Sequence, residues 1–196
     1  MRLIIATENT GKLGEFRQIL TDPPWQVVSM RQAGFAGQIK EDGTDYQENA
    51  LIKARSVHRV TGGLVLADDS GLSIDVLDGA PGLYSARFAG KDAGYPEKIA
   101  RLYQDLRPFR PELWTAHFVC ALAVIFPDGS TETVLRQVDG RIAPVPRGEG
   151  GFGYDPIFYL PERGLTMAEL PETEKNRISH RGLALQALAS LLLDRL

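Results

Sequence analysis

Apolar positions near the start of the chain follow two different spacings. The apolar run at residues 3–6 predicts a buried strand that ends at a polar loop. After the loop, Leu13, Phe16 and Ile19 are spaced as on one face of a helix. Thr44 and the glutamine three residues later have the spacing of a capping box, which predicts the start of a second helix. Apolar residues at helical spacing follow it: Ala50, Leu51, Ala54 and Val57.

Two strands are predicted on either side of the acidic pair Asp68 and Asp69. The apolar run at residues 64–67 predicts a buried strand that ends at the pair. Because adjacent carboxylates repel each other, the pair needs a neutralising partner, and a hard cation such as Mg²⁺ is the commonest one. The alternative is an ordinary acidic turn between strands. The second strand is predicted from alternating apolar residues, Leu72, Ile74 and Val76.

The middle of the chain predicts a helix and two paired strands. Helical spacing returns at residues 99–106, and Pro108 ends that helix. Residues 114–126 are too apolar for a half-exposed strand and predict a central one. A turn at residues 127–129 leads to a partner strand at residues 131–138.

The last third of the chain predicts a glycine-rich loop, a strand and a helix. The loop at residues 148–155 precedes a predicted strand at residues 157–160. The last helix is predicted from Ser179 or His180 to the C-terminus, with its leucines inward. No linker separates two independent domains. The chain therefore predicts an α/β fold, with one mixed sheet flanked by helices, in a single domain over residues 1–196.

Composition and charge limit the classes of partner. With 196 residues, 43% of them hydrophobic, the chain can form one well-buried domain. The net charge of −3 argues against a nucleic-acid polymer, whose backbone needs a basic surface. The lone Cys120 excludes an intramolecular disulfide and a cysteine-rich metal site, which fits a reducing cytosol. Since no apolar stretch approaches a membrane span and no signal pattern occurs, we expect a cytoplasmic protein without membrane contact.

The first polar loop leads into a helix and is a candidate anion site. It carries Thr7, Asn9 and Lys12, and helix N-terminal N–H groups favour anions. The loop is not a Walker A motif, because Ala6 and Leu13 stand where that motif needs Gly and Ser or Thr. The alternative is a capped helix start with a solvated lysine.

Acidic residues before the second helix could complete a metal site. The acidic pair supplies few of the ligands that Mg²⁺ needs, and a third carboxylate from Glu41, Asp42 or Asp45 could complete the protein's share beside water and substrate phosphate. Lys53 lies on the second helix and could bind phosphate. The alternatives are a solvated loop for this acidic segment and a surface charge for Lys53.

The glycine-rich loop and the last helix carry a candidate pocket for a flat ligand. The glycines around Phe152 would let the backbone approach such a ligand, and the ring offers a stacking surface. Lys175, His180 and Arg181 are potential donors near a helix start. The alternative is a flexible loop whose ring folds into the core, with a surface His–Arg pair.

Six short motifs stand in order along nearly the whole chain. They are Thr7-x-Asn9-x-x-Lys12, Glu48-Asn49-Ala50 with Lys53-Ala54, Ala67-Asp68-Asp69-Ser70-Gly71, Gly79-Ala80-Pro81-Gly82 with Ser85-Ala86-Arg87, Gly151-Phe152-Gly153-Tyr154-Asp155-Pro156, and Ser179-His180-Arg181-Gly182. Together they resemble the inosine triphosphate pyrophosphatase family. The resemblance implies an Mg²⁺-dependent enzyme that hydrolyses ITP, dITP and XTP to the monophosphate and pyrophosphate. It also implies a homodimer whose protomer has an elongated mixed sheet and two lobes with a cleft between them.

The resemblance further implies roles for individual residues. Asp69 is implied as catalytic base and metal ligand, with Glu41 and Asp68 near the metal. One residue departs from the expected pattern, because Glu8 lies in the loop that should receive phosphate; we expect its side chain to point to solvent. The implied substrate-binding residues are Thr7, Asn9, Lys12 and Lys53 for the triphosphate, Ser70 for a further contact, Phe152, Gly153, Tyr154 and Asp155 for the base pocket, and Lys175, His180 and Arg181 for the 6-oxo edge.

Two other functions are compatible with these residues. A Maf-like pyrophosphatase would act on modified pyrimidine nucleotides, and a substrate panel separates it from a purine-specific enzyme. A nucleotide-binding regulator would sense a triphosphate without cleaving it. Such a regulator would lack a catalytic carboxylate, whereas Glu41, Asp68 and Asp69 are all present here.

Overall fold

The structure, a computed structural model, describes residues 1–21, 25–90, 92–193 and 195. Within those residues the chain forms five α-helices and seven strands. The helices are α1 (Thr10–Ile19), α2 (Tyr46–Thr61), α3 (Tyr95–Leu106), α4 (Glu172–Ile178) and α5 (His180–Leu193). The strands are β1 (Arg2–Ile5), β2 (Gln26–Ser29), β3 (Leu64–Ile74), β4 (Thr115–Ile125), β5 (Thr131–Ile142), β6 (Phe158–Leu160) and β7 (Leu165–Thr166).

The seven strands form one mixed sheet in the order β2-β1-β3-β4-β5-β6-β7. Strand β1 runs parallel to both β2 and β3, whereas β6 runs antiparallel to both β5 and β7. This arrangement confirms the predicted α/β fold with a mixed sheet. Two lobes with a cleft between them, and a single domain over the whole chain, stay predictions.

The chain divides into two compact units. The first unit contains Met1–Asp69, Cys120–Arg136 and Arg181–Leu196. The second unit contains Ser70–Val119 and Gln137–His180. In the part of the chain that the structure describes, no helix has the length and apolarity needed to cross a membrane.

The first unit has a separate apolar cluster on each face of its strands. Successive side chains of a strand point to opposite faces. On β3, Leu64 and Leu66 belong to a cluster that includes Phe16 of α1 and leucines of α5. The residues between them, Val65 and Ala67, belong to another cluster, with the alanines of α2. The first part of β3 therefore lies between α1 and α5 on one face and α2 on the other.

The second unit has an aromatic core. Leu72 and Ile74 of β3 belong to one cluster with the buried leucines of α3. The Phe118 ring stacks on the Phe158 ring with 4.1 Å between the ring centroids. Tyr154 belongs to the same cluster and packs edge-on against the Tyr95 ring, 5.4 Å away. This core supports the glycine-rich loop, because Tyr154 lies within that loop.

Most predicted elements are present. The first strand, the helices at α1 and α3, the central strand at β4 and its partner β5 occur where the apolar spacing predicts them. Strand β6 follows the glycine-rich loop as expected, and α5 begins at His180. The helix was predicted to reach the C-terminus, but α5 ends at Leu193 and Arg195 lies in a turn. Residues 194 and 196 lie outside the described part of the chain.

The predicted acidic turn is wrong. Asp68 and Asp69 lie inside β3, which continues without a break to Ile74. The prediction ended the strand at the pair and named a divalent cation as the commonest neutralising partner, but lysine and arginine side chains from helices pair with both carboxylates inside the strand. The predicted second strand is therefore the end of β3, and Val76 lies in a short 3₁₀ turn beyond it.

The predicted start of α2 is also wrong in detail. The capping box was expected from Thr44 with Gln47, but the N-cap is Asp45. Its Oδ1 accepts a hydrogen bond from the Glu48 backbone N–H at 2.8 Å. The Glu48 carboxylate in turn accepts one from the Thr44 N–H at 2.7 Å. A carboxylate is a favoured N-cap and suits the positive end of the helix dipole, so the helix starts one residue later.

Three short elements were not predicted. Strands β2 and β7 and helix α4 have four, two and seven residues. Elements of this length contain too few residues to show a period in their apolar positions. Strand β2 is evident only in the folded chain, where its four residues pair with the four residues of β1.

Candidate functional site

Asp68 and Asp69 lie next to each other on β3 but meet different partners. Both side chains are buried, with 1% and 8% of the residue exposed. Because consecutive strand residues face opposite sides of a sheet, Asp68 points toward α1 and α5 and Asp69 toward α2. Each carboxylate thus has its own contact partners, although Lys53 also lowers the pKa of Asp68 and Lys12 also lowers that of Asp69 through their charges.

Asp68 is held by three donors. The Lys12 ammonium forms an ion pair with Oδ1. Arg181 Nε donates to Oδ2 at 3.1 Å, and the Cys120 thiol donates to the same oxygen at 3.3 Å. Burial alone would raise the pKa of Asp68, but the positive charges of Arg181 and Lys12 lower it well below its usual value. Asp68 is therefore an anion at neutral pH and a weak base.

Arg181 joins Asp68 to a second buried carboxylate. The guanidinium is 2% exposed and its Nη1 donates to Oε2 of Glu15. Burial acts to lower the pKa of Arg181, but the Asp68 and Glu15 carboxylates raise it. Sequence reasoning missed Glu15. It stands three residues after Lys12 on α1, so the two side chains share a helix face, and a charge so close to the buried Phe16 was the available signal.

Asp69 faces a lysine from α2. Lys53 Nζ donates to Asp69 Oδ1 at 2.7 Å and to Glu41 Oε2 at 3.0 Å. Burial acts to lower the pKa of Lys53, but the two carboxylates raise it. The pKa of Asp69 is raised, chiefly because burial disfavours its charge, although the Lys53 ammonium acts in the opposite direction. Asp69 is therefore the better proton acceptor of the adjacent pair.

One oxygen of the Asp69 carboxylate is suited to bind a metal ion. Oδ2 is buried, and none of the described residues gives it a hydrogen bond. Leaving such an acceptor unsatisfied is costly, and a carboxylate oxygen is a preferred ligand of Mg²⁺. The described residues contain no group of three His, Cys, Asp or Glu side chains arranged for a metal. Glu41 and Asp69 fit a site that also takes water and phosphate, whereas Asp68 as a third ligand stays a prediction.

The loop before α1 has the structure of a helix start. Asn9 is the N-cap, and its Oδ1 accepts a hydrogen bond from the Lys12 backbone N–H at 3.0 Å. Thr7 Oγ1 accepts one from the Asn9 N–H at 3.1 Å. Since its oxygen is used in the cap, Asn9 can present its amide N–H₂ group to an anion. Glu8 is exposed as expected and forms an ion pair with Arg31.

The second unit holds a cluster around the ring of Phe152. Asp155 Oδ2 accepts hydrogen bonds from the Phe152 backbone N–H at 2.8 Å and from Lys175 Nζ at 2.7 Å. The same ammonium lies 5.1 Å from the Phe152 ring centroid. Asp155 and Lys175 are buried and the Phe152 ring is half-buried. Two buried polar side chains thus hold the loop that carries a partly exposed aromatic ring.

Gly151 is required beside this cluster. Its φ is +71°, and an added Cβ would lie 2.2 Å from Asp155 Oδ2. We expect Gly151→Ala to lower the free energy of unfolding by about 1–3 kcal/mol, because it adds a steric clash to an unfavourable backbone conformation. Urea unfolding would measure the loss. Gly164→Ala is the matched control, since Gly164 has φ +69° with open space around it. Equal losses in the two variants would show that the clash contributes nothing.

The remaining predicted residues of the second unit are also placed. The Tyr154 hydroxyl donates to the Ser85 carbonyl at 3.0 Å, and burial raises the pKa of this tyrosine. The His180 ring stacks on Phe118 with centroids 4.7 Å apart and is largely buried. Gly153 has φ +72° and approaches the Tyr95 ring. Ser70 is half-buried in β3.

The structure thus gathers the predicted residues into two groups. In the first unit, Lys12, Asp68 and Arg181 form one cluster and Glu41, Lys53 and Asp69 another. In the second unit, Phe152, Asp155 and Lys175 contact one another. Arg181, predicted with the base-binding residues, bonds to carboxylates of the first unit. Its contact with a nucleotide base stays a prediction.

Comparisons with known proteins agree over nearly the whole chain. The model of the Ham1 family matches residues 3–191. A relative from Bacillus subtilis (strain 168), named dITP/XTP pyrophosphatase, is 49% identical over 189 residues, which are 96% of each protein. A HAM1 protein from Coxiella burnetii has a similar structure, with a TM-score of 0.89 and 39% identity over 99% of both chains. The structure of the Staphylococcus aureus Ham1 protein is also similar, with a TM-score of 0.88 and 36% identity over 100% of both chains. The resemblance predicted from the six motifs is confirmed, and the chain belongs to the Ham1 family.

Proposed function

We propose that this protein hydrolyses the non-standard purine nucleotides dITP, ITP and XTP to the nucleoside monophosphate and pyrophosphate. The observation that carries the proposal is the 49% identity, over 96% of both chains, to the relative named dITP/XTP pyrophosphatase. The carboxylates and lysines around β3 have the charges that this reaction needs. The protein acts in this role on the cytoplasmic nucleotide pool, as a homodimer, and without a nucleic-acid polymer or membrane as partner.

Asp69 is the proposed base that takes a proton from the attacking water. Its raised pKa favours proton uptake, and Oδ2 has no hydrogen-bond partner within the described residues. In the protein without nucleotide, Lys53 Nζ donates to the other oxygen at 2.7 Å, which leaves Oδ2 open. A positioned base typically accelerates such a step by about 10²–10⁴-fold. Asp68 suits this role less well, because Lys12 and Arg181 stabilise its charged form.

Lysines and the first loop are proposed to bind the triphosphate. Lys12 and Lys53 carry the positive charges, and Thr7 and Asn9 lie at the N-terminus of α1, where backbone N–H groups favour anions. Nucleotide pyrophosphatases generally require a divalent metal, and we propose Mg²⁺ with Glu41 and Asp69 as its protein ligands and Asp68 nearby. When bound, this ion would offset negative charge on the phosphate oxygens.

The cluster around Phe152 is proposed to bind the purine base. The half-buried ring offers a stacking surface, and Asp155 and Lys175 hold its loop in place. Gly153, Tyr154 and His180 complete the proposed pocket, and Ser70 is proposed as a further substrate contact. GTP is harder to exclude, because it differs from ITP only by a 2-amino group. Leaving that group buried and unpaired costs roughly 1–3 kcal/mol, which corresponds to about tenfold to 150-fold weaker binding. ATP is rejected more strongly, because adenine reverses the donor and acceptor positions at its edge.

A substrate panel tests the proposed function. With Mg²⁺ present, we expect pyrophosphate release from dITP, ITP and XTP, at least tenfold weaker release from GTP, and still weaker release from ATP. A colorimetric assay for phosphate, with and without added inorganic pyrophosphatase, would separate this reaction from stepwise loss of phosphate, because pyrophosphate gives a signal only after that enzyme has cleaved it. Reactions without metal are the control.

The same panel separates the alternatives. A preference for modified pyrimidine triphosphates would favour a Maf-like pyrophosphatase. Binding of dITP without hydrolysis would favour a nucleotide-binding regulator. Equal turnover of dITP and ATP would contradict the assigned substrate class.

A further inference from the structure

Lys53 occupies the position between two carboxylates that also fit a metal. Its ammonium contacts Asp69 Oδ1 at 2.7 Å and Glu41 Oε2 at 3.0 Å. Lys53 is 7% exposed and Asp69 is also buried, so their contact is largely shielded from water, whereas Glu41 is exposed. Both partners are charged oxygens, which are the ligands that hard divalent cations prefer. The protein therefore carries a cation of its own at this carboxylate pair.

A metal ion and the ammonium compete for these oxygens. Both are positively charged, and their repulsion is weakly screened next to the buried Lys53 and Asp69 side chains. A metal bound to Glu41 Oε2 and Asp69 Oδ1 would have to displace the ammonium from these oxygens. A metal at the open Asp69 Oδ2 would still lie beside the ammonium and be repelled by it. The displaced ammonium would also need a new anionic partner, because an unpaired buried charge is unfavourable.

A nucleotide supplies that partner. Its phosphates carry several negative charges, and lysine binds phosphate as a point charge. We propose that Lys53 keeps free divalent metal out of the Glu41–Asp69 pair until a phosphate draws its ammonium away, so that metal and nucleotide bind together. The inference rests on the proposed function, since it takes a nucleoside triphosphate as the ligand. It assigns Lys53 a role in metal loading in addition to its role in phosphate binding.

This role is specific to Lys53 among the charged residues at β3. Lys12 contacts Asp68, whose side chain leaves the strand on the opposite face. Lys40 precedes Glu41 in the sequence, but its side chain is exposed and pairs with Asp42 at 2.9 Å. Removal of the Lys40 charge thus lowers the positive charge near Glu41 without opening the space between the two carboxylates.

Titration of Mn²⁺ in the absence of nucleotide tests the proposal. Free Mn²⁺ would be followed by its electron paramagnetic resonance signal. We expect Lys53→Met to bind Mn²⁺ at least tenfold more tightly than the natural protein, because the competing ammonium is removed. Lys40→Met is the matched control and should bind like the natural protein. Equal affinity in Lys53→Met and the natural protein, or an equal gain in Lys40→Met, would overturn the proposal.

A second variant and a second ligand state complete the test. If Lys53→Met fails to fold by circular dichroism, Lys53→Gln removes the charge with a side chain that can still donate to a carboxylate, and the same gain is expected. Adding a non-hydrolysable dITP analogue should tighten Mn²⁺ binding by a smaller factor in the neutral variant than in the natural protein. An unchanged factor would contradict the proposal.

Failure of this proposal can be distinguished from failure of the proposed function. The Mn²⁺ titration without nucleotide measures the role of Lys53 alone. If the natural protein hydrolyses dITP but Lys53 has no effect on Mn²⁺ affinity, only the loading role is lost. If dITP is not hydrolysed, the proposed function fails, whatever the Mn²⁺ affinities are.

Discussion

Replacing Asp69 with Asn is expected to reduce pyrophosphate release from dITP by about 10²–10⁴-fold. The amide keeps the shape of the side chain, and its oxygen can still accept the hydrogen bond that Lys53 Nζ donates at 2.7 Å. It cannot take a proton from water, because an amide is a far weaker base than a carboxylate. The loss should therefore appear in kcat, with the fold retained. Steady-state kinetics and circular dichroism would measure the two properties.

The control for this variant is Asp45→Asn. Asp45 caps the same helix that carries Lys53, and its exposed side chain accepts a hydrogen bond from the Glu48 N–H. Asn caps helices about as well as Asp, so activity and stability should stay near those of the natural protein. If Asp69→Asn retains full turnover, Asp69 is not the base. A loss in Asp69→Asn together with unfolding would assign Asp69 to stability instead.

Replacing Arg181 with Met is expected to lower the free energy of unfolding by about 3–5 kcal/mol. The guanidinium is buried and bonds to the carboxylates of Asp68 and Glu15. Without it, two buried negative charges lose a shared cation, and the cost of removing one member of a buried ion pair is large. Methionine preserves most of the length and the packing of the side chain. Urea unfolding would measure the change.

Arg101→Met is the matched control for that variant. Arg101 is exposed on α3 and contacts Asp105 at 2.9 Å, so its removal should change stability by at most about 0.5 kcal/mol. The experiment also decides between two roles for Arg181. The sequence resemblance predicts contact with the 6-oxo edge of the base, and the structure shows a buried ion pair with Asp68. A variant that folds as stably as the natural protein but has a raised KM for ITP would favour the contact with the base.

The sequence predicted some of these contacts and missed others, while the roles of the residues stay predictions. Lys12, Lys53, Asp68 and Asp69 of the motifs lie in the ion-pair clusters, Phe152 and Asp155 contact each other, and Glu8 is exposed as expected. Glu15 was missed, because a charged residue on an amphipathic helix normally faces solvent. The separation of Asp68 and Asp69 was missed for a different reason. A turn would have allowed both carboxylates to face one ion, whereas a strand directs them to opposite faces.

The amino-acid sequence alone determined the order of the main helices and strands, the α/β class and the identity of the central strand, because these follow from the local spacing of apolar residues. It also indicated the family, since the motifs are local as well. Only the tertiary structure decided that β3 runs straight through its two aspartates. The cations that make this possible, Lys12, Lys53 and Arg181, stand up to 113 positions away along the chain. Local patterns do not show which distant charge meets a buried carboxylate. These ion pairs allow the strand to continue through both aspartates and give Asp68 and Asp69 different partners.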